Sequence, residues 1–160
     1  FADTARARER WIEGLEHWSY GGGHAPGDDA ILLTRNALTR WCMGTTGWMP
    51  WWNAFGGRGS AWKTANNLAL IYTGKTFPGG GPAEALATVR VKHLRAAAQL
   101  IEYLHLLARC DGWSRARVRA ALAEYADDAD APVWSFSELT EPQAVELRRR
   151  LIATIQEAGK

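Results

Sequence analysis

Apolar positions recur along this chain first with a helical period, then in short β-type runs, then with a helical period again. Residues 4–13 form a charged stretch with Trp11 and Ile12 as its apolar contacts, and predict a helix. Residues 15–20 read as a short strand. The glycine-rich stretch from Gly21 to Gly27 reads as a loop. Asp28 or Asp29 is placed to N-cap a helix over residues 30–43, where Ala30, Leu33, Ala37, Leu38 and Trp41 share one face and Gly44 is a fitting C′ residue. Residues 46–53 give a second strand, whose regular part should stop at Pro50. A long irregular stretch over 55–82 is interrupted by the apolar run 68–72, a small extra strand.

From residue 88 the pattern is helical. Val91, Leu94, Ala98, Ile101, Leu104 and Ala108 mark one stripe over 88–109. Ser114 caps a helix with Val118, Ala121, Leu122 and Tyr125 on its face. Thr140-Glu141-Pro142-Gln143 is a capping box opening a last helix that carries Val145, Leu147, Leu151, Ile152 and Ile155. The expected class is α/β, mostly helical. Both main strands precede helices, the second across the long loop, as in β/α units of a parallel sheet. Two strands do not make a stable open sheet by themselves. Further strands upstream are therefore expected, and a first residue of Phe1 agrees with processing or truncation.

Composition narrows the chemistry. At 160 residues and 47% hydrophobic, the chain can bury a sizeable core, and its net charge of +2 from 19 basic and 17 acidic residues gives no nucleic-acid surface. Arg148, Arg149 and Arg150 stand among Glu141, Glu146 and Glu157 and read as a solvated helix face. No apolar run approaches membrane-span length. Cys42 and Cys110 match no metal or redox spacing and read as buried free thiols. No phosphate loop or metal constellation occurs.

Nine tryptophans are the unusual feature, five of them between Trp41 and Trp62. Two readings stand: an aromatic core, or a wall on which sugar rings stack through their C–H faces. His17 and His24 flank the end of the first strand, a weak signal for ligands or proton carriers. His93 and His105 lie on a predicted helix and read as surface or interhelical.

The order Gly14-Leu15-Glu16-His17-Trp18-Ser19-Tyr20, a helix, then Gly44-Thr45-Thr46-Gly47-Trp48-Met49-Pro50-Trp51-Trp52-Asn53 resembles the C-terminal region of the catalytic domain of family-123 glycoside hydrolases. Leu70-Ile71-Tyr72-Thr73-Gly74 fits that family's loop segment. Thr88-Val89-Arg90-Val91-Lys92-His93-Leu94-Arg95 followed by Glu102-Tyr103-Leu104 fits its next helix. The resemblance covers residues 9–110, and it is the order and spacing of the motifs that carry it. It departs where the family's Gly and Asp in that helix are Ala97 and Leu100, so any role of that Asp is lost here.

The resemblance implies a (β/α)8 TIM-type barrel of which this chain is a C-terminal fragment. Residues 1–110 would hold the last two parallel strands and their helices, and 111–160 an appended helical segment. A full barrel takes about 250 residues, so the N-terminal barrel units would belong to the same parent chain. It also implies a hydrolase of N-acetylhexosaminides, periplasmic or extracellular, working by substrate assistance with an adjacent Asp-Glu pair from an earlier strand. Asp28-Asp29 reads as a helix cap and Asp127-Asp128 as a helix end, so no catalytic residue and no metal ligand or cofactor is assigned.

What remains is substrate binding. C-terminal strand ends and the loops after them select Trp18, Tyr20, Trp51, Trp52 and Asn53. The tryptophans would stack on sugar, Tyr20 and Asn53 would bond hydroxyl or acetamido groups, and Trp41 and Trp48 read as core. The partner implied is carbohydrate, with neither nucleic acid nor membrane. The alternative is a non-catalytic carbohydrate-binding or structural helical module.

Overall fold

A computed structural model describes residues 16–21, 28–49, 53–55, 69–73 and 85–159. The helix expected over 4–13 lies outside them, as do His24, Trp51 and Trp52. The elements run β1 (Trp18–Tyr20), α1 (Leu32–Met43), β2 (Gly47–Met49), β3 (Asn53–Phe55), β4 (Ala69–Thr73), β5 (Ala85–Ala87), α2 (Val89–Leu107), α3 (Arg115–Ala121) and α4 (Glu141–Ala158), with a 3₁₀ turn at Ala123–Tyr125. The class is α/β and mostly helical.

The strands form two sheets. β1 and β2 pair in parallel, with Trp18 opposite Gly47, Ser19 opposite Trp48 and Tyr20 opposite Met49. Thr46 extends the ladder by one residue: its amide donates to the His17 carbonyl at 2.9 Å, and its Oγ1 accepts from the His17 amide at 3.0 Å. The second strand stops at Met49, before Pro50, as a residue without an amide donor requires. β3 pairs in parallel with β4, and β4 pairs antiparallel with β5. The extra strand expected over 68–72 is β4. β3 and β5 leave no alternating pattern in the sequence, so the second main strand is followed by further short strands before the next helix.

The helices begin and end where local chemistry allows. Gly44 closes α1 in the left-handed region at φ +88°, its amide bonding back to the last turn. Thr140 and Gln143 form the reciprocal capping box of α4, and Ser114 Oγ accepts from the Arg117 amide. The cap of α1 differs from expectation. Its N-cap is Ile31, with no side-chain bond, and Asp29 acts two residues earlier by accepting from the Ile31 amide at 3.4 Å.

One core cluster runs from Leu38, Trp41 and Cys42 of α1 through Leu100, Leu104 and Leu107 of α2 to Val118, Leu122, Trp134, Phe136, Leu139, Leu147 and Leu151. Residues 111–159 therefore share their core with α1 and α2. Arginines tie the helices to one another's carbonyls. Arg115 donates to the Trp41 carbonyl at 2.7 Å, Arg148 to Ala96 at 2.9 Å, and Arg35 to Leu139 at 2.8 and 2.6 Å. The Trp41 carbonyl also accepts from the Gly44 amide at 2.9 Å, so Arg115 adds a second donor at the end of α1 and joins two elements there.

The buried row of α2 is Ala97, Leu100, Leu104 and Leu107, rotated from the expected stripe, in which Ala98 is exposed. Apolar residues cover a wide arc of this helix. The packing of α1 and α4 against it selects one row, and the other borders a cleft. Ala97 and Leu100, where the resemblance places Gly and Asp, are both inside the core.

Candidate functional site

Alternation along β1 and β2 sorts their side chains onto two faces. Ser19 and Trp48 face α1. Trp18, Tyr20 and Met49 occupy the other face and are 63%, 58% and 52% exposed. Gly47 shares that face, and the Trp18 indole lies against it: a Cβ added at Gly47 would stand 2.5 Å from Cδ2 and 2.6 Å from Cε2 of the ring. The Trp18 Nε1–H donates to Glu16 at 3.3 Å. Trp18 and Tyr20, two residues apart, are separated by about 6.5 Å along the strand. The result is an open aromatic face with a glycine floor.

Behind this face, the buried Arg40 joins α1 to β1. Its Nε donates to Ser19 Oγ at 2.8 Å, Nη1 to the Asn36 carbonyl at 3.0 Å and Nη2 to the Gly21 carbonyl at 3.3 Å. Its guanidinium lies 4.7 Å from the Trp48 ring centroid, a cation–π geometry. Trp48 Nε1–H donates to the same Gly21 carbonyl at 2.8 Å, while the Gly21 amide donates to Met49 at 3.0 Å. Gly21 stands at φ +97°. Burial pulls the Arg40 guanidinium down to about 10, so it stays charged at neutral pH.

Arg40 was not among the sequence-selected residues. The signal for it is an arginine inside an apolar helical run with no acid at helical spacing, since Asn36, Ala37, Met43 and Gly44 occupy those positions. Such a charge must be met from another element.

Of the expected binding residues, the structure brings Trp18 and Tyr20 onto one open face. Trp51 and Trp52 lie outside the described residues. Asn53 opens β3 and pairs with Ala69, so its backbone belongs to the second sheet and does not extend β2. Trp41 is buried in the main core, where His105 meets its ring edge-on, and Trp48 packs against Leu33, Ala37 and Ala97.

The two Asp pairs contain turn-forming carboxylates. Asp29 sits before α1, 3.9 Å from Arg35, and Asp127 accepts from the Ser137 amide at 2.9 Å, the Ser137 hydroxyl at 2.6 Å and the Glu138 amide at 3.0 Å.

A cleft of about 370 Å³ opens between α1, α2 and the start of β2, bordered by Trp41, Thr46, Trp48, Leu94, Ile101 and Glu102. His105 also borders it. Burial lowers the His105 pKa, and the Arg115 charge acts the same way against the opposing effect of Glu102. Among the described residues, no group of three or more His, Cys, Asp or Glu could hold a metal ion, and no helix is long and apolar enough to cross a membrane. Cys42 is a buried free thiol, and Cys110 is a half-buried one.

The chain matches no protein-family model, no curated protein and no solved structure in the comparisons made. The fold and the open face define a mostly helical α/β protein with a β–α–β unit, helix-covered behind and aromatic in front.

Proposed function

We propose that the open face of β1 and β2 is a carbohydrate-stacking wall of a glycoside hydrolase acting on N-acetylhexosaminides. In this reading β1, α1 and β2 are a late β/α unit of a TIM-type barrel, and the catalytic carboxylates come from outside the described residues. The observation that carries it is the arrangement of Trp18 and Tyr20. Two aromatic side chains two residues apart stand well exposed on one face of a parallel strand pair, above a glycine that lets the indole lie close to the backbone. Exposed large aromatics in one patch mark a binding surface, and the polar Tyr20 hydroxyl beside an indole suits a sugar, which offers both an apolar face and hydroxyls. Sequence order and spacing add the N-acetylhexosaminide class through the resemblance given above.

Titration with N-acetylhexosamine oligosaccharides, followed by tryptophan fluorescence, tests this. Saturable change in the protein and its loss in Trp18→Ala are expected. An unchanged response in Trp18→Ala removes the wall. The core shared by α1, α2, α3 and α4 favours a second reading, a non-catalytic sugar-binding module. That reading predicts the same titration, with no requirement for neighbouring barrel strands.

A further inference from the structure

The geometry points to Arg40 as the positioning residue of the aromatic wall: from behind the sheet it fixes Ser19 and Gly21, the two residues on either side of Tyr20. This rests on the reading of the Trp18–Tyr20 face as a sugar wall. Ser19 is held through its hydroxyl and Gly21 through its carbonyl, so the backbone at both ends of Tyr20 is set by one side chain of α1. Trp48 makes the hold two-sided. Its indole accepts the Arg40 cation on its face and donates its own N–H to the Gly21 carbonyl.

The Gly21 amide, bonded to Met49, closes the third side by locking this point of β1 to the end of β2. A guanidinium suits the task because its planar fork donates in several fixed directions at once. A lysine ammonium in the same place has no fork with which to reach Ser19, Asn36 and Gly21 together. Tyr20 lies on the opposite face from the side chains of Arg40, Ser19 and Trp48, and Met49 joins the network only through its carbonyl, so Arg40 acts on a bound sugar through the strand.

The test compares the protein with Arg40→Lys, Ser19→Ala and Trp18→Ala, by amide hydrogen exchange and by the oligosaccharide titration above. Arg40→Lys is expected to speed exchange of the Gly21 amide and the Trp48 indole N–H while Leu100 and Leu104 of α2 stay protected. It is expected to weaken oligosaccharide binding about tenfold, the scale of one lost charge-assisted hydrogen bond. Ser19→Ala, which keeps the cation and its stacking, is expected to give a smaller loss in the same direction. Trp18→Ala is expected to lose binding with Gly21 exchange unchanged.

Unchanged affinity in Arg40→Lys with Gly21 opened overturns the proposal. So does faster exchange spread evenly over α1 and α2, which is a general packing defect. If the protein shows no response to oligosaccharide, the sugar reading falls, and Gly21 exchange in Arg40→Lys and Ser19→Ala still decides whether Arg40 sets this strand end.

Discussion

The indole of Trp18 rests on Gly47, its partner across the β1–β2 ladder, closely enough that a single added methyl would stand 2.5 Å from the ring. The glycine is therefore part of the aromatic face. Gly47→Ala is expected to push the indole off the sheet and weaken oligosaccharide binding. Because Trp18 is exposed and can swing away, the fold should lose no more than about 1 kcal/mol. Tryptophan emission and chemical denaturation of the same variant separate the two effects. A variant with unchanged emission and affinity would show that the close approach is not used.

Gly21 makes a different demand. Among the described residues, nothing lies within 4 Å of a Cβ placed there, but its φ of +97° disfavours any side chain. Gly21→Ala is expected to cost about 1 kcal/mol in urea denaturation, from backbone strain alone. A much larger loss would mean that the Gly21–Met49 and Gly21–Trp48 bonds break with it.

These two glycines show what the sequence reveals and what it hides. Helix α1 was legible because Leu33, Ala37, Leu38 and Trp41 keep one period and Gly44 ends it. The α4 capping box was legible because its chemistry is local. The parallel pairing of β1 and β2 followed from the helix between them. By contrast, Arg40 gains its role from Ser19 and Gly21, about twenty residues earlier, and no local pattern encodes that meeting. The rotated face of α2 was hidden for a similar reason: both apolar rows satisfy the helical period, and only the positions of α1 and α4 decide between them. β5 contains only Ala85, Leu86 and Ala87, too short and too small for alternation to register.

Thr140 supports α4 through a cap whose bonds are all local. Its amide donates to Gln143 Oε1 at 2.8 Å and its Oγ1 accepts from the Gln143 amide at 3.4 Å. Thr140→Ala is expected to lower stability by about 1 kcal/mol, read by denaturation, and Thr140→Ser to restore most of it. The Leu139 carbonyl beside it receives Arg35, so fraying here should also loosen α1.

The two thiols should react at different rates. Burial pushes the Cys42 thiol up to about 12, against the smaller opposing charges of Arg119 and Arg115. Thiolate is the reactive form, so Cys42 should be inert to a disulfide reagent at pH 8 in the folded protein. Cys110 is half-buried, its Sγ 3.5 Å from the Leu106 carbonyl, and should be labelled first. One fast thiol and a second released only by denaturant is the expected titration. Two fast thiols would contradict the core position of Cys42.

Asp127 gives stability a pH dependence with a definite sign. What burial it has raises its pKa, but hydrogen bonds from the Ser137 hydroxyl, the Glu138 amide, the Ser135 hydroxyl and the Ser137 amide outweigh that and hold the carboxyl well below the usual carboxylate range. The folded state thus prefers the ionised form more than the unfolded chain does, whose Asp titrates near about 3.9. The contribution is fully present above that value and is lost as pH falls toward the depressed folded pKa. The group is exposed, so screening reduces the gain, and Asp127→Asn should cost about 1 kcal/mol at pH 7. Denaturation of the two proteins across pH 2–7 should show the gap closing below about pH 4. A gap that stays constant to pH 2 would assign the loss to altered geometry of the 127–138 turn and not to its charge.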